Sequence, residues 1–267
     1  MGVVHQDDGW RLPDELWAKM QPLLPPRPPH PLGCHNPRVP DRQAMDAILL
    51  VLRTALPWDA LKATDICHPS SAYRRFREWL AAGVFREFWR QGLHAYAALV
   101  GIDLEWLALD GAMAKAPLGG EKTGPNPTDR GKKGSKKSLL TDGRGAPLGL
   151  RVAGANVNDH KLMHSTLQSL PVERPSPTEH APQGLCLDKG YDYDRVRALA
   201  VQYGFTLHLR RRGEPDQPLE SGKKARRWVV ERTHGWLNKF RRLLVRWEKR
   251  EDTHRALRPR APGGCRG

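Results

Sequence analysis

Along the first hundred residues, apolar side chains recur with the period of an α-helix. The pattern predicts four helices: Asp14 to about Leu24, Asp41 to about Leu56, the segment SSAYRRFREWLAA that ends at Gly83, and Val84 toward Val100. Asp41 and either Ser70 or Ser71 are the expected N-caps. The Pro-rich run PPRPPHPLG follows the first helix, because proline removes a backbone donor and cannot continue a helix. Residues 1–100 are therefore expected to form a small helical domain.

The third of these helices carries an apolar face and a basic face. Its expected inward positions are Tyr73, Phe76 and Leu80, and its outward positions are Arg74, Arg75 and Arg77. An Arg-bearing helix after a turn is typical of a helix-turn-helix unit, whose recognition helix enters the major groove of DNA. A helical bundle used for packing or dimerisation gives the same pattern, so both interpretations stay open.

From Leu104 the pattern changes to short apolar runs that alternate with helical segments. Strands are predicted at LEWLALD, which ends in Asp110, at LCL before Asp188, and at FTLHL. A hairpin is predicted from Leu139 through the turn residues DGRG to PLGLRVA. Helices are predicted at Asp159–Leu170, Tyr191–Tyr203 and, the longest, Lys223–Trp247. The segments without a hydrophobic period, residues 115–137 and 210–222, are expected to be exposed loops.

Three acidic residues occupy distinctive places in this order of elements. Asp110 and Asp188 each follow a predicted strand, and open α/β sheets bind ligands at the carboxyl ends of their strands. Glu231 is a lone acid among bases on the last predicted helix. Asp188 taken alone fits equally well as the cap of the helix that follows it. The other two acids favour a shared site.

The last predicted helix has one apolar stripe, and Glu231 lies on its opposite side. At 100° per residue, the stripe comprises Val229, Thr233, Trp236, Phe240, Leu243, Leu244 and Trp247. The opposite side comprises Arg227, Glu231, His234, Asn238 and Arg242. Glu231 can meet acids on the sheet only if this helix packs through an edge or through a partner chain.

Charge changes the interpretation further. The formal net charge is +15, and residues 205–267 alone carry 18 basic and seven acidic side chains. Such a concentrated excess favours a polyanionic partner, most simply nucleic acid, over solubility alone. Basic charge does not by itself distinguish DNA from RNA or from an anionic membrane. The chain has neither a long apolar run nor a signal-like start, so a cytoplasmic protein without a membrane span is expected.

The cysteines and histidines, which can also bind metals, are scattered along the chain. Cys34, Cys67, Cys186 and Cys265 form no CxxC pair, which predicts free thiols rather than a zinc site or a disulfide framework. His160 and His164 have the i, i+4 spacing of metal ligands, but no third ligand is near in sequence. Ordinary surface histidines are the expected interpretation.

The order of strands, acids and helices resembles that of a ribonuclease H-type fold, an α/β architecture in which helices flank a mixed sheet. That fold collects three carboxylates from two strand ends and a late helix. Oxygen ligands suit magnesium, a hard ion that keeps several waters. Two ions about 3.5 to 4 Å apart can activate the attacking oxygen and stabilise the leaving oxygen of a phosphoryl transfer. Cations would also offset the mutual repulsion that raises the pKa of clustered acids.

Many motifs in one order resemble those of bacterial insertion-sequence transposases of the DDE type, close to the insertion-sequence-five-like group. These motifs are LPDELWAKMQPLLPP, VPDRQAMDAILLVLRTALPW, SSAYRRFREW, LDGAMAKAPLGGEKTGPNPTDRGKKGSKKSLLTDGRGAPLGLRVAGANVND, LCLDKGYDYDRVRALAVQYGFTLHLRRRGE and VVERTHGWLNKFRRLLVRWEK. The resemblance implies that Asp110, Asp188 and Glu231 are catalytic residues and ligands of two Mg²⁺ or Mn²⁺ ions. It also places Arg227 at the basic position of the glutamate-helix signature, whose later lysine falls on Asn238 or Lys239.

The resemblance further implies an enzyme that cuts double-stranded DNA at the ends of its element and joins the 3′-hydroxyl to target DNA. Such an enzyme is expected to be a homodimer or larger when bound to DNA. The basic residues expected to contact DNA are Arg74, Arg75, Arg77, Arg130, Lys132, Lys133, Lys136, Lys137, Arg210, Arg211, Arg212, Arg227, Lys239, Arg241 and Arg242. Two other functions fit the residues: a decayed or repurposed copy that binds DNA without catalysis, and a stand-alone ribonuclease H-like nuclease.

The expected domains are a helical DNA-binding or assembly domain at 1–100, a catalytic domain at 101–254 and a disordered tail at 255–267. The tail, RALRPRAPGGCRG, is rich in Pro and Gly. The resemblance implies a further apolar segment after the glutamate helix, so a truncated copy is expected. Loss of such a cover would leave some of Leu243, Leu244 and Trp247 exposed.

Overall fold

The N-terminal helices form the first part of the computed structural model, which describes residues 10–26, 38–211, 213 and 227–256. The helices are α1 (Asp14–Met20), α2 (Asp41–Thr54), α3 (Pro69–Ala81) and α4 (Val84–Leu99), with 3₁₀ turns at Gln21–Leu23 and Trp58–Ala63. Their predicted positions are confirmed. Most of the Pro-rich run lies outside the described residues, as do Cys34, Arg212, Lys223, Cys265 and residues 257–267.

The core between α2 and α3 differs from the predicted faces in two respects. Phe76, Trp79 and Ile48 are buried in it, whereas Tyr73 is 40% exposed. Arg75, predicted to point outward, is only 5% exposed. It pairs with Asp41 at 2.8 Å and donates to the Val39 carbonyl oxygen at 3.2 Å, which compensates its buried charge.

The expected N-caps are also wrong. His68 caps α3 through a ring nitrogen that accepts from the Ser70 backbone N–H, because Pro69 takes the first helical position. Pro40 precedes α2, and Asp41 makes no capping hydrogen bond.

The second part contains a mixed sheet with flanking helices. Its strands are β1 (Trp106–Lys115), β2 (Gly124–Pro125), β3 (Lys133–Thr141), β4 (Pro147–Gly154), β5 (Gly184–Cys186) and β6 (Thr206–His208). Its helices are α5 (Asp159–Leu167), α6 (Asp194–Gln202), α7 (Trp228–Asn238), α8 (Arg241–Leu244) and α9 (Glu251–Ala256), with a 3₁₀ turn at Lys189–Tyr191. The predicted hairpin is β3–β4.

The strand order confirms the expected ribonuclease H-like topology. β1 pairs antiparallel with β3, and β3 pairs antiparallel with β4 and with the short β2. On its other edge β1 pairs parallel with β5, and β5 pairs parallel with β6. A three-stranded antiparallel meander followed by two parallel strands is the order of that fold.

Two predictions for this sheet are wrong. β1 does not end at Asp110 but continues to Lys115, because β3 runs beside it as far as Gly134. The end of the predicted exposed loop, residues 133–137, is therefore part of β3. These residues have no hydrophobic period, so it is backbone pairing with β1 that makes them a strand. The small residues Gly134 and Ser135 are buried in it.

The predicted Lys223–Trp247 helix is also wrong. α7 ends at Asn238, Phe240 has an extended backbone (φ −81°, ψ 92°), and Val245 forms a parallel bridge with Lys115. The predicted stripe is thereby divided: Val229, Thr233 and Leu243 are buried, whereas Trp236, Leu244 and Trp247 are 49%, 49% and 39% exposed. His234 and Arg242, predicted for the polar side, are buried.

Several smaller expectations are settled by the packing. Cys67 and Cys186 are free, buried thiols. His160 is buried against Tyr193 with ring centroids 3.9 Å apart, so it is not a surface histidine. In the part of the chain that the structure describes, no helix has the length and apolar character needed to span a membrane. α9 crosses the expected boundary between 254 and 255.

Candidate active site

Asp110 lies in the middle of β1, and the register of the sheet places it beside Asp188. Ala108 pairs with Cys186 in the parallel β1–β5 ladder. Asp110 follows Ala108 by two residues within β1, and Asp188 follows Cys186, the last residue of β5, by two. Residues two apart in extended chain point to the same face. The two carboxylates therefore emerge next to each other on one face of the sheet.

Burial dominates the electrostatics of Asp110. Together with the negative charges of Asp188 and Asp159, it brings the pKa of this carboxyl from its ordinary 3.8 to about 6. The Gly111 backbone N–H and the Arg227 guanidinium oppose the shift. Asp110 is thus harder to ionise than an exposed aspartate, and a nearby positive charge favours its ionised form.

Both side-chain oxygens of Asp188 have partners in the structure. Its Oδ1 accepts a 2.7 Å hydrogen bond from the Gly190 backbone N–H and so caps the 3₁₀ turn at Lys189–Tyr191. Its Oδ2 lies 3.6 Å from Arg227 Nη1. Oδ1 therefore makes the expected capping bond, while Oδ2 lies near Arg227, so the two interpretations of Asp188 are compatible.

Glu231 is joined to Asp188 through Arg227. Arg227 Nη2 and Nε donate to Glu231 Oε1 at 3.0 and 3.2 Å, so one guanidinium contacts both carboxylates. The Glu231 side chain is 52% exposed. Among the residues that the structure describes, no three His, Cys, Asp or Glu side chains are close enough to share one metal ion.

α7 presents Glu231 toward the sheet through contacts on its flank. Val230, the residue before Glu231, is fully buried against Ala108, Leu139 and Cys186. Lys137 Nζ donates to Asn238 Oδ1 and to the Leu243 carbonyl oxygen, both at 3.3 Å. The helix thus packs through Val230 and its neighbours, which leaves Glu231 at the edge of the buried face.

Asp159 is a further acid near the site that the sequence interpretation missed. A Cβ atom on Gly111 would lie 1.7 Å from Asp159 Oδ1, so this carboxylate packs directly on β1. Because consecutive strand residues face opposite ways, Asp159 approaches from the side opposite Asp110. Lys136 Nζ lies 2.7 Å from Asp159 Oδ2. The available signal was the glycine itself, since a glycine within a strand often marks a close approach.

Tyr191 is buried in the same neighbourhood. Its burial raises the pKa of its hydroxyl well above the ordinary value, and the charges of Asp159, Asp110 and Asp188 act in the same direction. The side chain is 1% exposed and packs in the core that also contains Leu107 and Leu185. Because Leu107 and Asp110 point to opposite faces of β1, Tyr191 belongs to the core on the other side of the sheet.

The donor atoms are of the kind that a hard divalent cation prefers. Asp110, Asp188 and Glu231 offer three carboxylates, although among the described residues no three such side chains lie close enough to share one ion. Arg227 already lowers the pKa of Asp110, and a divalent cation beside this carboxyl would lower it further.

Comparison with known proteins gives the family. Residues 12–89 match the family described as "Putative transposase of IS4/5 family", and residues 103–258, more than half of the chain, match "Transposase DDE domain". The chain belongs to the DDE transposase family. The family recognised from its sequence motifs is thereby confirmed.

Two relatives of this transposase come from Burkholderia cepacia. A putative transposase for insertion sequence element IS402 is 42% identical over 143 residues, which are 52% of this chain and 65% of that protein. The match therefore spans slightly less than two thirds of that relative. An uncharacterized 16.2 kDa protein of insertion element IS402 is 39% identical over 118 residues, 43% of this chain and 79% of that protein.

A solved structure of the Mos1 mariner paired end complex with Mn is also similar to this transposase. It is 9% identical, with 91% of this chain and 82% of that chain covered, at a TM-score of 0.30. That score is too low to establish a shared fold, which here rests on the strand order.

The chain exposes some of the residues predicted to contact DNA and buries others. Arg75, Lys136, Lys137 and Arg242 are at most 6% exposed, which leaves them little surface for a contact with DNA. Each of the four has protein partners that account for its burial. Arg77, Arg210 and Arg227 are partly exposed, and the exposed members of the set are Arg74, Arg130, Lys132, Lys133, Arg211, Lys239 and Arg241.

Proposed function

We propose that this chain catalyses divalent-metal-dependent cleavage of DNA strands at the ends of its element and joins the freed 3′-hydroxyl to target DNA. The observation that supports it is the parallel β1–β5 ladder, whose last pair, Ala108 and Cys186, lies two residues before Asp110 and Asp188. Membership of the DDE family and the Arg227 link to Glu231 support the same assignment.

In this proposal Asp110, Asp188 and Glu231 would hold two divalent ions, either Mg²⁺ or Mn²⁺. The ions, when bound, activate the attacking oxygen and stabilise the leaving oxygen in an in-line displacement. Asp110 contributes a partly buried carboxylate, and Asp188 is oriented by its bond to Gly190. Arg227 holds Asp188 and Glu231 in one relative orientation.

The proposed partner is double-stranded DNA, at both element ends and target, with a homodimer or larger assembly on the DNA. The exposed bases Lys132 and Lys133 precede and begin β3, and Lys239 and Arg241 follow Glu231 along the chain. Such side chains bind the phosphate backbone without reading its sequence. The excess of basic over acidic residues at 205–267 supports a polyanionic partner.

The test uses purified protein and a DNA duplex that carries the sequences flanking its gene. Asp110→Asn, Asp188→Asn and Glu231→Gln should each abolish Mg²⁺- or Mn²⁺-dependent cleavage while binding to the duplex is retained, because each removes a metal ligand and a negative charge. Asp59→Asn, which changes a carboxylate 90% exposed on the helical domain, is the matched control and should cleave normally.

Metal-dependent cleavage that survives Asp188→Asn would contradict the assignment of the site. Wild-type protein that binds the duplex but cleaves neither strand with either metal would instead favour a non-catalytic DNA-binding copy.

A further inference from the structure

A cavity of about 350 Å³ lies where the helical domain meets the glutamate helix. It is lined by Arg53 of α2 and by Trp236, Lys239 and Phe240. Two of these residues are aromatic and two are cationic, and none is acidic. The cavity is thus distinct in composition from the acidic site, although Trp236 lies on the same helix as Glu231.

Among the residues that the structure describes, neither cation of this cavity, Arg53 or Lys239, forms an ion pair with a carboxylate. The Nε of Arg53 is buried and has no hydrogen-bond partner there. The Arg53 guanidinium instead lies 5.7 Å from the centre of the Phe240 ring. Arg53 lies in the last turn of α2, where the helix dipole favours a positive charge. Within the described structure, the positive charges of Arg53 and Lys239 line the cavity and favour an anion there.

The aromatic residues offer flat surfaces beside these donors. Trp236 is 49% exposed, and the Arg232 guanidinium lies 4.9 Å from the centre of its ring. Such a contact limits the orientations open to the indole ring. Aromatic faces next to free guanidinium and ammonium groups form a typical platform for an unpaired nucleotide, whose base stacks while its phosphate is bound.

We propose that this cavity, the Arg53–Trp236–Lys239–Phe240 pocket, binds one unpaired nucleotide of a DNA strand end. The phosphate contacts Arg53 and Lys239, and the base stacks on Trp236 or Phe240. A base within a duplex is stacked on its neighbours, so a fully paired end does not fill the pocket. The inference rests on the proposed function in taking DNA as the ligand, but it does not depend on catalysis.

The experiment measures binding by fluorescence anisotropy, without divalent metal, of two labelled duplexes of identical sequence. One is blunt and the other has a short unpaired end. The wild-type protein should bind the duplex with the unpaired end more tightly. Trp236→Ala should weaken that binding by about 5- to 150-fold, the range for removing one stacked base, and should leave blunt-duplex binding unchanged. Trp236→Phe, which keeps a ring, should restore most of the preference.

Arg53→Gln should reduce the logarithmic salt slope by about 0.7 on the duplex with the unpaired end, since the variant binds one single-strand phosphate fewer. Trp10→Ala and Arg86→Gln change an exposed indole and an exposed guanidinium outside the pocket, and both should preserve the preference.

The proposal is overturned if wild-type protein binds both duplexes equally, or if Trp236→Ala and Arg53→Gln weaken both to the same extent. Failure of the proposed function is distinguishable, because it appears as a lack of cleavage by protein that still prefers the unpaired end.

Discussion

At the scale of single residues, Asp110 shows the energetic cost of a carboxylate placed within a sheet. Its pKa is raised from 3.8 to about 6, mainly by burial and also by the charges of Asp188 and Asp159. The ionised form is therefore disfavoured in the folded chain relative to the unfolded chain. Below pH 3.8 the group is neutral in both states and carries no penalty, and the penalty grows as the pH rises to about 6.

Asp110→Asn should consequently stabilise the metal-free protein by about 1–3 kcal/mol above pH 6, because the amide has no charge to desolvate. The gain should shrink between pH 6 and pH 3.8 and disappear below that range. Urea unfolding in the presence of a chelator, measured across this range, checks the effect. Asp59→Asn is the control, and a gain for Asp110→Asn that is the same at every pH would refute the electrostatic explanation.

At the scale of elements, Lys137 decides where α7 and α8 lie on the sheet. Its side chain shares a face with Asp110, because Lys137 pairs with Ala112 and Asp110 pairs with Leu139. Its ammonium group is buried and donates to Asn238 at the end of α7 and to Leu243 in α8. A residue that resembled a DNA contact is therefore part of the scaffold that positions Glu231.

Lys137→Ala should lower the free energy of unfolding by about 1–3 kcal/mol, since it leaves two buried acceptors without their donor. Lys133→Ala, four residues earlier on the same strand and exposed, should change stability by less than about 0.5 kcal/mol. The denaturant concentration at the midpoint of unfolding, compared at an unchanged dependence of the free energy on denaturant, measures the stability change of both variants. Equal, small effects for the two variants would mean that Lys137 does not anchor these helices.

At the scale of the whole molecule, the C-terminal segment joins the two domains. Leu243 is buried in the core of the N-terminal helices. Arg242 donates to Glu248 at 2.7 Å and lies 3.5 and 3.4 Å from the carbonyl oxygens of Ala55 and Leu56 at the end of α2. Leu243 and Arg242 therefore hold the C-terminal segment against the N-terminal helices, and Glu248 compensates the buried charge of Arg242.

Glu248→Gln should destabilise the protein by about 3–5 kcal/mol, because it leaves the buried Arg242 charge without a counter-ion. Glu87→Gln is the matched control: Glu87 pairs with Arg90 at 2.6 Å on the surface, and its removal should cost at most about 1 kcal/mol. Thermal unfolding followed by circular dichroism compares the two. Similar small decreases in both would show that Glu248 does not compensate the buried charge of Arg242.

Charge at this scale predicts how DNA binding responds to salt. Replacing the exposed Lys132 and Lys133 with Gln should reduce the logarithmic slope of affinity against salt by about 0.9 for each duplex phosphate that the variant no longer binds. The same double change at the exposed Lys19 and Lys62 of the helical domain is the control. Anisotropy titrations at several salt concentrations give the slopes. An unchanged slope for Lys132 and Lys133 would assign these residues to solvation.

The sequence by itself determined the elements whose patterns are local. Helix periodicity gave α2, α3 and α4, and short apolar runs bounded by turn residues gave β1, the β3–β4 hairpin, β5 and β6. The order of these elements and the motifs within them were enough to identify the family and its fold, because both are properties of the chain in one dimension.

Only the tertiary structure decided which charged groups are buried. Lys136, Lys137, Arg75 and Arg242 resemble surface bases in sequence, and each is buried because an acid or a set of carbonyl oxygens reaches it from a distant segment. The juxtaposition of Asp110 with Asp188 likewise depends on the register of two strands more than 70 residues apart. Pairings of this kind arise from contacts between distant segments, which no local pattern encodes. Periodicity indicates which face of an element a residue lies on, but not which residue of another segment covers it.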